Sequence, residues 1–116
     1  MTVHRNREEH PPVSPRALAA RERASKPWYV YLIACRSGAI YTGIARDVAA
    51  RYAQHVAGSG ARYTRANPPV RLLVKFRCAN QSEASRMESA IKQLDATDKR
   101  NLVGTSTRLA RKTLLA

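Results

Sequence analysis

Trp28 to Cys35 reads WYVYLIAC, an unbroken run of aromatic, β-branched and aliphatic residues, and Ile40 to Ile44 resumes that chemistry after Arg36-Ser37-Gly38. Two such runs separated by a short segment containing glycine predict a β-hairpin. Loop length then decides which side chains meet, because residues alternate across a strand and cross-strand partners share a face. A two-residue loop at Ser37-Gly38 would send Tyr31 and Tyr41 to opposite sides. An odd loop, with Gly38 in the left-handed region and a bulge beside it, groups Tyr31, Ile33, Tyr41 and Gly43, and this is the register expected.

Farther along, Val70 to Cys78 alternates well enough for a third antiparallel strand, with Val70, Leu72, Val74 and Phe76 on one side. Asp47 is a suitable N-cap for a helix from Val48 to Ala57, and Gly58 is its natural stop. Val48, Tyr52 and Val56 make the apolar stripe of that helix. A second helix starts near Ser82, or is capped by Asn80, and runs to Leu94 with Ala84, Met87, Ile91 and Leu94 as its buried stripe. Gly58 to Pro69 reads as a loop from its glycines, Asn67 and paired prolines. The fold class is therefore α+β, a small three-stranded antiparallel sheet flanked by helices.

A chain of 116 residues holds one domain. Residues 27–104 are expected to form it, residues 1–26 to be a basic, disordered extension, and residues 105–116 to be a basic tail that either docks as a short helix or stays mobile. The extension mixes charges, carries Pro11, Pro12 and Pro15, and has few bulky aliphatics, although residues 17–24 could form a short helix. It lacks the apolar centre of a signal peptide, so a cytoplasmic location is expected. Lysine and arginine number 21 against 8 acidic residues, a net charge of +13. Such an excess favours a polyanionic partner, although charge alone does not separate it from an RNA-associated or merely soluble basic protein, and no long apolar run suggests a membrane. The protein is expected to be a monomer or weak dimer. Cys35 and Cys78 lack metal-ligand spacing and read as reduced core residues.

Several residues could carry chemistry. Tyr31 and Tyr41 are either phenols facing a common pocket or amphipathic strand residues packing a core edge. Arg51 and His55, four apart, lie one above the other along the border of their helix's stripe. Arg62, Tyr63, Thr64 and Arg65 interleave an aromatic ring with positive charge, a pattern suited to phosphate contact and base stacking. Glu88 sits at the margin of the second helix's stripe, where it either ion-pairs with Lys92 or holds a hard divalent ion, which needs only one or two carboxylates. Asp95 is the runner-up carboxylate.

Val30-Tyr31-Leu32 followed by Tyr41-Thr42-Gly43 resembles the paired tripeptides of the GIY-YIG nuclease superfamily. The longer string YVYLIACRSGAIYTGIARDVAARYAQHVAGSGARYTR is similar to its small stand-alone bacterial members, and MESAIKQL extends the likeness, which covers Pro27 to Val103. The resemblance implies a metal-dependent endonuclease hydrolysing phosphodiester bonds in structured or single-stranded DNA, in repair or processing; a non-cleaving nucleic-acid-binding module on the same fold is the alternative. It implies a catalytic set of Tyr31, Tyr41, Arg51, His55 and Glu88. One phenol would accept a proton from water, Arg51 would reach the phosphate, and Glu88 would hold Mg²⁺ or Mn²⁺. Arg46, Arg62, Tyr63 and Arg65 are assigned to nucleic-acid contact, and Asn101 is a loose match to an asparagine after the second helix. Some relatives have a lysine where this chain has Ile44, which leaves open how the phenol loses its proton. A tyrosine with an ordinary pKa near 10 would need a shift of about 3 units, roughly 4 kcal/mol, to act as a base at neutral pH.

Overall fold

The computed structural model describes residues 14–18 and 26–115. The hairpin joins β1 (Trp28–Cys35) to β2 (Ile40–Ala45) through Arg36-Ser37-Gly38. Gly38 adopts φ 90°, a conformation available to glycine at little cost, and its N–H donates to the Cys35 carbonyl at 2.9 Å. Tyr31 pairs with Gly43 and Ile33 with Tyr41, so the odd-loop register holds and both tyrosines share a face. The loop is fastened from outside as well. Asn67 accepts from the Ser37 N–H at 3.1 Å, and Arg100 donates to the Gly38 carbonyl at 2.9 Å.

β3 (Pro69–Cys78) pairs antiparallel with β1 on its other side, giving the order β2-β1-β3. The simple alternation expected for β3 needs correction. Register shifts against Leu32/Ile33 and Ala34/Cys35 interrupt the ladder, so the strand changes face partway along. Phe76 and Val74 pack on the core, Leu73 replaces Leu72 there, and Val70 is 63% exposed.

The two faces of the sheet carry different cores. Val30, Leu32 and Phe76 pack against Ala84, Met87 and Ile91 of α3 (Gln81–Lys92) and Ala110 of α5 (Thr107–Leu114). Each large apolar side chain removed from water here contributes about 1.5–3 kcal/mol. On the other face Tyr31, Ile33 and Cys35 pack against Val48 of α1 (Val48–Val56), with Tyr52 alongside. Cys35 and Cys78 therefore sit in separate cores as buried free thiols, and burial raises the pKa of both.

Asp47 caps α1 by accepting from the Ala50 N–H at 3.0 Å, and Gly58 follows the helix with φ 82°. The stripe of α1 is rotated from expectation. Val56 is 60% exposed, while His55 is 1% exposed. The segment read as a loop contains a short helix, α2 (Arg62–Ala66), that folds back against α1. α3 begins at its Asn80 cap and ends before Asp95, which is the N-cap of α4 (Ala96–Asn101) and accepts from the Asp98 N–H at 2.8 Å. Asp95 is thus occupied as a cap on a separate helix, and Asn101 is exposed at the end of that helix.

The basic tail docks. Buried Ala110 seats α5 on the core, and Arg111 grips Glu83 of α3 through two hydrogen bonds of 3.0 and 2.7 Å. Glu83 also accepts from the Ala79 N–H. The extension expected over residues 1–26 lies outside the described residues, apart from Lys26 and a turn of helix at 15–18. Among the described residues, no helix is long and apolar enough to cross a membrane.

Candidate functional site

The face shared by the two tyrosines opens a small polar site between β2, α1 and α2. Tyr31 stands in the central strand and is 1% exposed, with its ring lying over Gly43 across the ladder. A Cβ added at Gly43 would come 2.5 Å from the phenol oxygen. The glycine of Tyr41-Thr42-Gly43 thus provides the space that the first tyrosine occupies.

The phenol oxygen of Tyr31 lies 2.9 Å from Nε2 of His55. His55 Nδ1 lies 2.7 Å from the Thr64 hydroxyl, whose oxygen is 2.9 Å from the Ala61 carbonyl. A carbonyl can only accept, so Thr64 donates to Ala61 and its oxygen receives the Nδ1–H of His55. Nε2 of the neutral imidazole then carries the lone pair, and the Tyr31 hydroxyl donates to it. The result is a directed chain of proton donors from Tyr31 through His55 and Thr64 to the backbone. Gly60 closes it from below, since a Cβ there would fall 2.5 Å from His55 Nδ1.

Burial dominates the electrostatics of this chain. It lifts the Tyr31 phenol to about 12; the neighbouring Tyr41 and Glu88 push the same way, and Arg51 pulls it down through hydrogen bonding and charge. Arg51 also donates to Gln54 one turn on, at 2.7 Å. Burial also lowers the pKa of His55, and the Arg51 guanidinium lowers it further. Both groups are consequently held neutral at physiological pH.

Tyr41 completes an aromatic cluster. Its ring centroid is 6.4 Å from Tyr31 and 5.1 Å from His55, edge-on to the imidazole. Tyr63 of α2 stacks on Tyr41 at 5.9 Å with a 23° interplanar angle and remains 46% exposed. Arg62 and Arg65, on the same short helix, are exposed. Arg46 stands apart, its guanidinium 5.3 Å above the Trp28 ring.

Glu88 reaches toward this site from α3, near enough for its charge to act on Tyr31. Its carboxylate pairs with Lys92 at 3.4 Å and its side chain is 23% exposed. Among the described residues, no group of three or more His, Cys, Asp or Glu side chains gathers around a cation. A hard ion such as Mg²⁺ needs only one or two protein oxygens and completes its shell with water and phosphate oxygens, so Glu88 could hold one only where Lys92 gives up the carboxylate.

Tyr31, Tyr41, His55 and Tyr63 are thus brought into contact, Arg51 acts on Tyr31 by hydrogen bonding and charge and Glu88 by charge, Arg62 and Arg65 are exposed beside Tyr63 on α2, and Arg46 is not brought to the site. Thr64, expected in a loop suited to phosphate contact, is 1% exposed and serves His55 instead. Gly60 resembles any loop glycine in sequence, and only the approach of His55 reveals its purpose.

The family model for the "GIY-YIG catalytic domain" matches residues 27–101. A "UPF0213 protein" of Cupriavidus necator is 48% identical over 77 residues, covering 66% of this chain and 84% of its own length. A UPF0213 protein of Xanthomonas axonopodis pv. citri is 49% identical over 71 residues, covering 61% and 70% respectively. Among solved structures, the solution NMR structure of a UPF0213 protein from Bacillus halodurans is 35% identical, covers 78% of this chain and 97% of its own, and superposes with a TM-score of 0.44.

Proposed function

The chain belongs to the GIY-YIG catalytic domain family, and from that premise we propose that it acts on nucleic acid, DNA foremost, as a phosphodiester hydrolase with a role in processing structured or single-stranded DNA. The observation that carries this reading is the chain from Tyr31 to His55 to Thr64. Water attacks phosphorus and gives its proton to the Tyr31 oxygen while the phenol's own proton passes to Nε2 of His55. A concerted handover of this kind never requires free phenolate, which suits a phenol lifted to about 12. Nδ1 of the resulting imidazolium stays bonded to Thr64. Arg51 disfavours that imidazolium in the free protein, and a phosphate drawn to Arg51 offsets the guanidinium charge, so substrate binding itself makes His55 a better base. As phosphorus–oxygen bonding to the leaving group breaks, the departing oxygen takes a proton from solvent. A divalent ion on Glu88, when bound, would supply charge stabilisation to the phosphate oxygens.

A second reading, a nucleic-acid-binding module that does not cut, draws support from the pairing of Glu88 with Lys92, which occupies the carboxylate. Incubating labelled single-stranded, duplex and branched DNA with purified protein and Mg²⁺ or Mn²⁺ separates the two. Cleavage by the wild type that is lost in Glu88→Gln and Tyr31→Phe supports hydrolysis. Binding without cleavage under every condition leaves the module.

A further inference from the structure

Adjoining the polar site, and sharing Tyr41 and Tyr63 with it, lies a cavity of about 450 Å³ between the outer edge of β2 and the α3–α4 junction. Its volume falls within the range of small-molecule sites. Tyr41 and Tyr63 form one wall as a stacked pair, Lys92 and Lys99 stand at the other side, and Ala96 and Thr42 line the space between them.

The edge of β2 gives this cavity a hydrogen-bonding wall. Cys35 donates to the Ala39 carbonyl, so in the alternation of an antiparallel ladder Ala39, Tyr41 and Gly43 turn their backbone groups toward β1. Ile40 and Thr42 turn theirs outward, and among the described residues β2 has no strand beyond it. An outward N–H and C=O on one residue form an adjacent donor and acceptor. That pair matches the N–H/C=O edge of guanine or thymine and the N/N–H edge of adenine. The Thr42 hydroxyl is also buried without a partner among the described residues.

We propose that this cavity accepts a single unpaired nucleobase of the substrate strand, stacked on Tyr63, read by the backbone edge at Thr42, with the flanking phosphates on Lys92 and Lys99. The inference rests on the reading of the chain as nucleic-acid-directed and deepens it to substrates with an extrahelical or single-stranded nucleotide. A peptide strand could also add to an open edge, but neither the aromatic stack nor the paired lysines would serve it, and the chain's charge of +13 favours a polyanion. Because Lys92 is also the partner of Glu88, a phosphate that draws Lys92 into the cavity releases the carboxylate.

The test is binding in EDTA, so that cleavage plays no part. Fluorescence anisotropy is measured with a short labelled duplex carrying one bulged thymidine, and with the same duplex carrying a bulged abasic residue. The wild type should prefer the thymidine by about tenfold, the scale of one stacked base, and Tyr63→Ala should erase that preference while Lys99→Ala weakens both probes alike. In the wild type, thymidine monophosphate should also shift the backbone amide resonance of Thr42, a readout that needs no variant. Equal affinity for the two probes, with an unmoved Thr42 amide, overturns the proposal and leaves a bare phosphate patch or a peptide site. Loss of base preference with cleavage intact defeats this cavity alone, whereas base preference without cleavage defeats the hydrolase reading alone.

Discussion

The Tyr31 phenol and the His55 imidazole, 24 residues apart in the chain, meet at 2.9 Å with both groups almost fully buried. Tyr31→Phe keeps the ring and deletes the donor, leaving Nε2 with an unmatched lone pair. The cost expected for an orphaned buried acceptor is about 1–3 kcal/mol, read from the shift of the urea denaturation midpoint. If the proposed hydrolysis operates, the same variant should lose cleavage while retaining affinity for DNA. Unchanged cleavage would remove Tyr31 from the chemistry.

Gly43→Ala tests the cradle instead of the chain. Its Cβ would collide with the phenol oxygen, which belongs to a rigid ring, and would force Tyr31 away from His55. A stability loss of about 1–3 kcal/mol is expected, since overpacking cannot relax cheaply here. A crystal structure of Gly43→Ala with the Tyr31–His55 contact unbroken would contradict this account.

Stability should depend on pH at both ends through this pair. His55 is less basic in the folded protein than its ordinary 6.5, so the unfolded chain takes up the proton first and stability falls as pH drops below about 6.5. Tyr31 has the opposite sense. Its phenol is raised from 10.0 to about 12, so its contribution is complete below 10 and is lost as pH climbs through 12. Chemical denaturation across this range should show both declines in the wild type, with the acidic one reduced in His55→Gln.

If the proposed hydrolysis operates, Glu88→Gln should abolish metal-dependent cleavage and spare both fold and DNA affinity. The only described partner it breaks is the ion pair with Lys92, and an exposed pair four residues apart on a helix is worth a few tenths of a kcal/mol, about 0.2–0.5. A large drop in thermal midpoint would mean that the carboxylate is structural.

Thr42→Val should stabilise the free protein, by about 1 kcal/mol, because it replaces a buried hydroxyl that has no partner among the described residues with an apolar group of the same shape. Differential scanning calorimetry on the two proteins measures it directly. A destabilised variant would imply a partner for the hydroxyl.

Much of this architecture was legible because it depends on local chemistry. Gly38 marked the turn, and the odd loop expected there, in preference to a two-residue Ser37-Gly38 loop, placed Tyr31 and Tyr41 together. Asp47 and Asn80 announced two helix starts through their capping side chains. The misreadings share a cause, since each turns on a contact made far away in the chain. Val56 looked like core and His55 like a rim residue, but β1 supplies a hydrogen-bonding partner for the imidazole, which rolls the helix toward His55. The reversal within β3 arises from the extra residues Leu73 and Val70, which the register with β1 skips, and periodicity within one strand does not register them. Glu83, an ordinary first-turn acid in sequence, is buried because Arg111 arrives from α5 to meet it, 28 residues later.

That late arrival bears on how the protein is made. Ala110 fills the hydrophobic interior, so a nascent chain still holding α5 inside the ribosome has the sheet and most of α3 but not a sealed centre. Folding force on an arrested chain should therefore peak only after residue 114 emerges, when that helix can swing home.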